Sequence, residues 1–151
     1  SEMITGFDLV QEQNRIAGGS ALSVTQDKVR VTGHAIECRI NAEDVGKGFI
    51  PVPGRITGWQ PPVGDGIRLD SHMSQGAVIP PFYDSMIGKL IVHGADRADA
   101  VAKLTDALDS FKVEGVPTTI DLHRRIVRHP DFIANTIHTR WLEQTLLASP
   151  E

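Results

Sequence analysis

The sequence contains one cysteine, Cys38, which excludes an internal disulfide and fits a reducing compartment. No apolar run reaches membrane-spanning length, and the N-terminus lacks the basic segment and hydrophobic stretch of a secretory signal. A soluble, cytoplasmic protein is expected. Neither sign of charge dominates: 15 Lys and Arg stand against 19 Asp and Glu, a net charge of −4. Nucleic acid and anionic membranes are therefore not expected as partners. Six histidines show no short metal-ligand spacing and no HExxH, so no metal site is expected. A GxSxG nucleophile elbow and a GxxxxGK[ST] phosphate loop are both missing. Ser71 and His72 are adjacent, so on a strand they face opposite ways and cannot act as nucleophile and base. The chain also lacks repeats and low-complexity segments. With 40% hydrophobic and 23% charged residues in a length of 151, its composition is that of one ordinary globular domain.

What the sequence does have is a sharply alternating stretch, Gly33 to Asp44. Ile36, Cys38, Ile40 and Ala42 fall on one face of an extended chain, while Glu37, Arg39 and Asn41 fall on the other. Such a strand is half-buried, with Cys38 serving as a small core residue. Glu37 is placed to orient Arg39 while leaving its planar donor fork open, which suits an oxyanion or a carbonyl-like ligand. A solvated charge pair beside a sheet gives the same spacing.

Around this strand the period changes twice. Asp8 to Ala17 reads as a helix stopped by Gly18-Gly19, and Val29 to Val31 as a modest strand. Pro51, Pro53, Pro61 and Pro62 then punctuate short strands, the clearest being Arg55 to Gln60 and Ile67 to His72. Ser85 to His93 follows Pro80-Pro81 as the next strong strand. From Asp96, an N-cap, Val101, Leu104, Leu108 and Phe111 recur at helical spacing. Thr118 or Thr119 caps a second helix carrying Ile120, Ile126 and Val127 and stopped by Pro130, and a third covers Arg140 to Leu147. Strands first and helices afterwards predict an α+β fold: a mostly antiparallel sheet, barrel-like or folded, followed by three helices packed on it.

Three segments, Gly33-His34-Ala35-Ile36-Glu37-Cys38-Arg39-Ile40-Asn41-Ala42-Glu43-Asp44, Phe49 to Ile56 and Tyr83-Asp84-Ser85-Met86-Ile87-Gly88-Lys89-Leu90-Ile91, carry a family resemblance in order and over essentially the whole chain. The sequence closely resembles the C-terminal domain of biotin carboxylase, a component of biotin-dependent carboxylases such as acetyl-CoA carboxylase of fatty acid biosynthesis. The resemblance implies a helix at residues 1–19 following an upstream ATP-binding (ATP-grasp) domain, with the C-terminal domain proper at 20–151. It implies ATP, magnesium and bicarbonate held mainly by that upstream part. It also implies biotin arriving on a carboxyl carrier protein or domain, a carboxyltransferase partner and a homodimer.

The same resemblance places roles on residues. Arg39 matches the arginine that contacts biotin and stabilises negative charge on the ureido oxygen once N1′ is deprotonated, a task for a fixed cation. Asp84 matches a position close to the biotin site, and Tyr83 beside it lines the same pocket. Arg68 matches a dimer contact; three residues earlier Asp65 replaces an aromatic found in bacterial members, where it could instead pair with an arginine across a two-fold axis. Ile137 and Thr139 are the alternatives for the side chain that touches adenine. A strand-entry aspartate is ordinarily a turn residue, a tyrosine there a packing residue and Ile137 a core contact. On this reading the chain supplies part of an enzyme and is inactive alone; the rival reading is a non-catalytic dimerisation or assembly module of a multi-subunit carboxylase.

Overall fold

In the computed structural model, which describes residues 1–148, two short helices lead into the alternating stretch: α1 (Glu2–Thr5) and α2 (Leu9–Ala17). The stretch itself forms β1 (His34–Asn41) and β2 (Glu43–Asp44). Five short strands follow: β3 (Ile50–Pro51), β4 (Gly54–Arg55), β5 (Gly58–Gln60), β6 (Ile67–Asp70) and β7 (Val78–Ile79). The long β8 (Met86–Gly94) precedes α3 (Arg97–Ser110), β9 (Lys112–Glu114), α4 (Ile120–Arg128) and α5 (Pro130–Ile133). All pairings are antiparallel, in one three-stranded sheet ordered β1-β8-β6 and three two-stranded ones. The fold is α+β, with no closed barrel among the described residues.

The main sheet has two unlike faces because its register keeps like with like. Ile36, Val92 and Ile67 lie in one row and Cys38, Leu90 and Leu69 in the next, all toward the helices. Ile40, Leu90 and Val92 are fully buried there, each contributing about 1.5–3 kcal/mol by leaving water. Against this face α3 lays Ala100, Leu104, Ala107 and Leu108, all buried, and Phe111 closes the end edge-on to Trp59, 5.4 Å between centroids. Gly94 permits the approach, since a Cβ there would stand 2.5 Å from the Ala100 backbone nitrogen.

The helix ends are secured by side chains. Asp96 accepts the Asp99 N–H at 2.9 Å while Asp99 accepts the Ala95 N–H at 2.8 Å, a reciprocal cap that holds the Asp99 carboxyl below its usual pKa. At the far end Arg124 of α4 donates to the carbonyls of Leu108 (2.7 and 3.0 Å) and Phe111 (3.2 Å). Those carbonyls are otherwise without helical partners. Arg128 grips Asp109 with 2.8 and 2.6 Å bonds, so α4 is fastened along α3.

Several expectations need correction. Residues 29–31 form no strand; the chain leaves a 3-10 turn at Gln26–Lys28 and stays irregular to Gly33. Pro130 follows the end of α4 at Arg128, as expected, and in addition opens α5 as its first residue, where its missing N–H costs nothing. The third helix over Arg140 to Leu147 contracts to a π turn at Leu142–Leu146 after the buried Trp141, whose indole donates to Asp131 at 2.9 Å. The apolar residues of α2 do not pack, as Leu9, Val10 and Ile16 are all exposed. No helix among the described residues is long and apolar enough to cross a membrane.

Burial on the inner face, aided by the nearby Glu37 charge, pushes the Cys38 thiol pKa up to about 12. At pH 8 only about one molecule in ten thousand then carries the reactive thiolate. A disulfide reagent such as DTNB should leave Cys38 unmodified in the native protein and titrate it fully in guanidinium chloride; stoichiometric labelling of native protein would show that β1 is not covered.

Candidate functional site

The outer face of the main sheet is polar, and the register fixes its neighbours. Glu37 lies opposite Ile91, which lies opposite Arg68; Arg39 lies opposite Lys89, which lies opposite Asp70. Directly opposed residues of an antiparallel pair send their side chains to the same side. Two cations, Arg39 and Lys89, are thus held next to each other, an arrangement that opposes folding unless something negative rewards it. Asp70 does not serve, because its carboxylate takes the Arg68 Nε–H at 2.7 Å. Among the described residues neither Arg39 nor Lys89 closes a hydrogen bond or ion pair through its side chain.

Arg39 is exposed, and the expected orienting contact from Glu37 is not made: the pair forms no ion pair. Two residues apart on one face, the side chains stand along the strand, not across it, and the nearer position to Arg39 belongs to Lys89. The backbone of Arg39, by contrast, is firmly held. Its carbonyl accepts the Thr119 hydroxyl at 3.2 Å and pairs with His123 Nε2 at 2.8 Å. Burial pushes the His123 pKa below the ordinary histidine value, opposed by that same bond, so the ring is a neutral donor at neutral pH.

The other expected residues distribute themselves around this face. Arg68 is spent within the chain, bonded to Asp70 and ion-paired with Glu2 of α1 at 3.2 Å. Between them lies a depression of about 240 Å³ lined by Glu2, Glu37, Arg68, Asp70 and Lys89; Arg39 stands outside it. Asp65 is exposed in the turn before β6. Asp84, at the entry to β8, accepts the Met86 N–H at 2.8 Å, the bond of a turn aspartate. Tyr83 is 81% exposed and borders a second small cavity with Pro51, Val52, Pro80 and Ser85. It is not packed, contrary to the structural reading of that position. Ile137 and Thr139 lie apart from the sheet, in the loop after α5, and both are exposed. Ile137 is therefore no core contact; Trp141 fills that role, edge-on to His129.

Two features escaped sequence reasoning. Lys89 sits in the alternating strand Ser85 to His93, but its placement beside Arg39 depends on strand register, which the sequence did not specify. Asn41, next on the Arg39 face, donates to Glu43 at 2.9 Å, and Ser85 donates to the same Glu43 oxygen at 2.5 Å. The Asn41 Oδ1 is buried without a hydrogen-bond partner among the described residues. Chemically, the face offers two unspent cations on adjacent strands of one sheet, which suits an anion or an oxygen that gains charge during reaction.

Known proteins share both the sequence and the fold. The family model "Biotin carboxylase C-terminal domain" matches residues 37–144. A biotin carboxylase from Nostoc sp. is 51% identical over 95% of this chain and 32% of its own length. A pyruvate carboxylase subunit from Methanothermobacter thermautotrophicus is 48% identical over 95% of this chain and 29% of its own. Among solved structures, the biotin carboxylase domain dimer of Hydrogenobacter thermophilus 2-oxoglutarate carboxylase, in complex with MgADP, ADP and bicarbonate, superposes with a TM-score of 0.93. It is 43% identical over 99% of this chain and 34% of that one. The chain thus spans about a third of the length of the curated relatives it matches.

His123 also sets an acid-side stability limit. Its native pKa lies below that of the unfolded chain, so its contribution is present above the unfolded-state value and is lost as pH falls from about 6.5 through the native pKa. Denaturant melts at pH 7.5 and 5.5 should show a smaller acid-side loss in His123→Gln than in the wild type; equal losses would mean that the partial burial of the imidazole does not lower its pKa.

Proposed function

The chain belongs to the biotin carboxylase C-terminal domain family, and from that premise we propose that it forms one wall of the biotin site in an enzyme that carboxylates carrier-bound biotin with ATP and bicarbonate. The observation that supports this most is the exposed, unspent guanidinium of Arg39, fixed at its backbone and set beside Lys89. When the ureido N1′ loses its proton, charge moves to the ureido oxygen. The planar fork of Arg39 meets that oxygen, and Lys89 raises the local positive potential. Lysine at position 39 would supply charge without the fork.

On this proposal Asp84 and Tyr83 continue the biotin wall: Asp84 spends one oxygen on Met86, and Tyr83 presents its ring to solvent. Ile137 or Thr139, both exposed, reaches the nucleotide. ATP and magnesium are held mainly by an ATP-grasp domain that precedes residues 1–19. The exposed Leu9, Val10 and Ile16 of α2 are apolar surface that such a domain would cover. Arg68 and Asp65 are proposed at a homodimer contact, Arg68 with its charge already fixed by Asp70 and Glu2. A carrier protein and a carboxyltransferase complete the assembly, and the carboxyltransferase chooses the final acceptor. Placement in a cytoplasmic acetyl-CoA carboxylase of fatty acid biosynthesis rests on the motif resemblance. An assembly role uses other surfaces of the same domain and is compatible with the pocket wall.

In the complete enzyme, Arg39→Ala should lower the rate of biotin carboxylation by about two to three orders of magnitude, with the unfolding midpoint unchanged or slightly raised and Arg39→Lys falling between. Wild-type turnover in Arg39→Ala would refute the assignment. Residues 1–151 alone should neither hydrolyse ATP nor carboxylate biotin; bicarbonate-dependent ATP hydrolysis by the pure fragment would contradict the division of labour.

A further inference from the structure

β1 is an edge strand, so the peptide groups of Arg39 and Asn41 that turn away from β8 have no strand to bond. The start of α4 takes them instead. Thr119 donates its N–H to the Asn41 carbonyl at 3.0 Å and accepts the Asn41 N–H on its hydroxyl oxygen at 3.1 Å. That hydroxyl then donates to the Arg39 carbonyl, where His123, one turn further on, adds the second donor. Thr119 occupies the N-cap of α4, yet its hydroxyl bonds no N–H of that helix. A residue placed to cap a helix has been spent on the strand.

The opposite side of the same stretch is where the sheet holds least well. Ile40 pairs with Gly88 but Asn41 pairs with Met86, so the ladder shifts by one residue just past Arg39. One donor would have satisfied the edge carbonyl; this one receives two, directly at the root of a long side chain with no hydrogen bond or ion pair of its own among the described residues. A small rotation of that peptide plane is multiplied at the guanidinium, and productive geometry tolerates only about 0.5 Å of error.

We propose that Thr119 and His123 are positioning residues for Arg39: they fix the peptide plane from which its side chain springs and so hold the guanidinium where the ureido oxygen gains charge. This rests on the role of Arg39 proposed above. Because the effect is realised in the transition state, it falls on kcat and not on the KM for biotin.

The test uses the complete enzyme with free biotin as substrate. Thr119→Val and His123→Leu should lower kcat by roughly ten- to a hundredfold, with the biotin KM changed less than about twofold. Thr119→Ser and His123→Gln, which keep a donor, should restore most of the rate. In an Arg39→Ala background Thr119→Val should cost nothing more, since its effect passes through Arg39. A further proportional loss in that background, or wild-type kcat in Thr119→Val with Arg39→Ala impaired, overturns this inference alone. Full activity in Arg39→Ala overturns the underlying reading as well. Should Thr119→Val fail to fold, His123→Leu, which leaves both Asn41 bonds in place, decides by the same criteria.

Discussion

The antiparallel ladder between β1 and β8 is the constraint from which the rest follows. Its register turns Ile36, Cys38 and Ile40 to the inner face opposite Val92, Leu90 and Gly88, and the same pairing leaves Glu37 and Arg39 on the outer face opposite Ile91 and Lys89. A slip of one residue would turn every buried side chain outward and every charge inward, so the core and the polar face are specified together. The polar face that carries Arg39 is the reverse side of the hydrophobic core and inherits its rigidity.

The helices convert that rigidity into position. α3 presses on the inner face through Leu104 and Leu108, α4 is fastened to α3 by Arg124 and Arg128, and the first turn of α4 reaches the free edge of β1. Position is passed from core to edge through bonds between the parts, and Arg39 itself is placed by strand and helix, not by a loop. The cost is local: two like charges stand side by side, and Asp70, opposite Lys89, gives its carboxylate to Arg68.

Much of this was legible in the sequence where one periodicity dominated. The alternation of Ile36, Cys38 and Ile40 against Glu37 and Arg39, the helix from Asp96 to Phe111 and its Asp96 cap all appear as read. Failures fell where local pattern and tertiary contact part company. Val29 and Val31 have strand propensity but no neighbouring strand to pair with. Pro130 stops α4 as read but also starts α5, and Trp141 draws the C-terminal segment into a π turn by burying itself against His129. The site shows the same division. Arg39 stands out on its face, whereas Lys89, Thr119 and His123 matter through register and through contacts 50 to 84 residues away along the chain, beyond the reach of spacing. Glu37 had the right spacing to steer Arg39 and does not touch it.

The most direct measurement is a crystal structure of the complete protein with biotin and bicarbonate bound. The Arg39 guanidinium should lie about 2.8–3.0 Å from the ureido oxygen, with the Arg39 carbonyl still held by Thr119 and His123. A ureido oxygen bound by other groups, with Arg39 turned to bulk solvent, would contradict the role assigned to that residue.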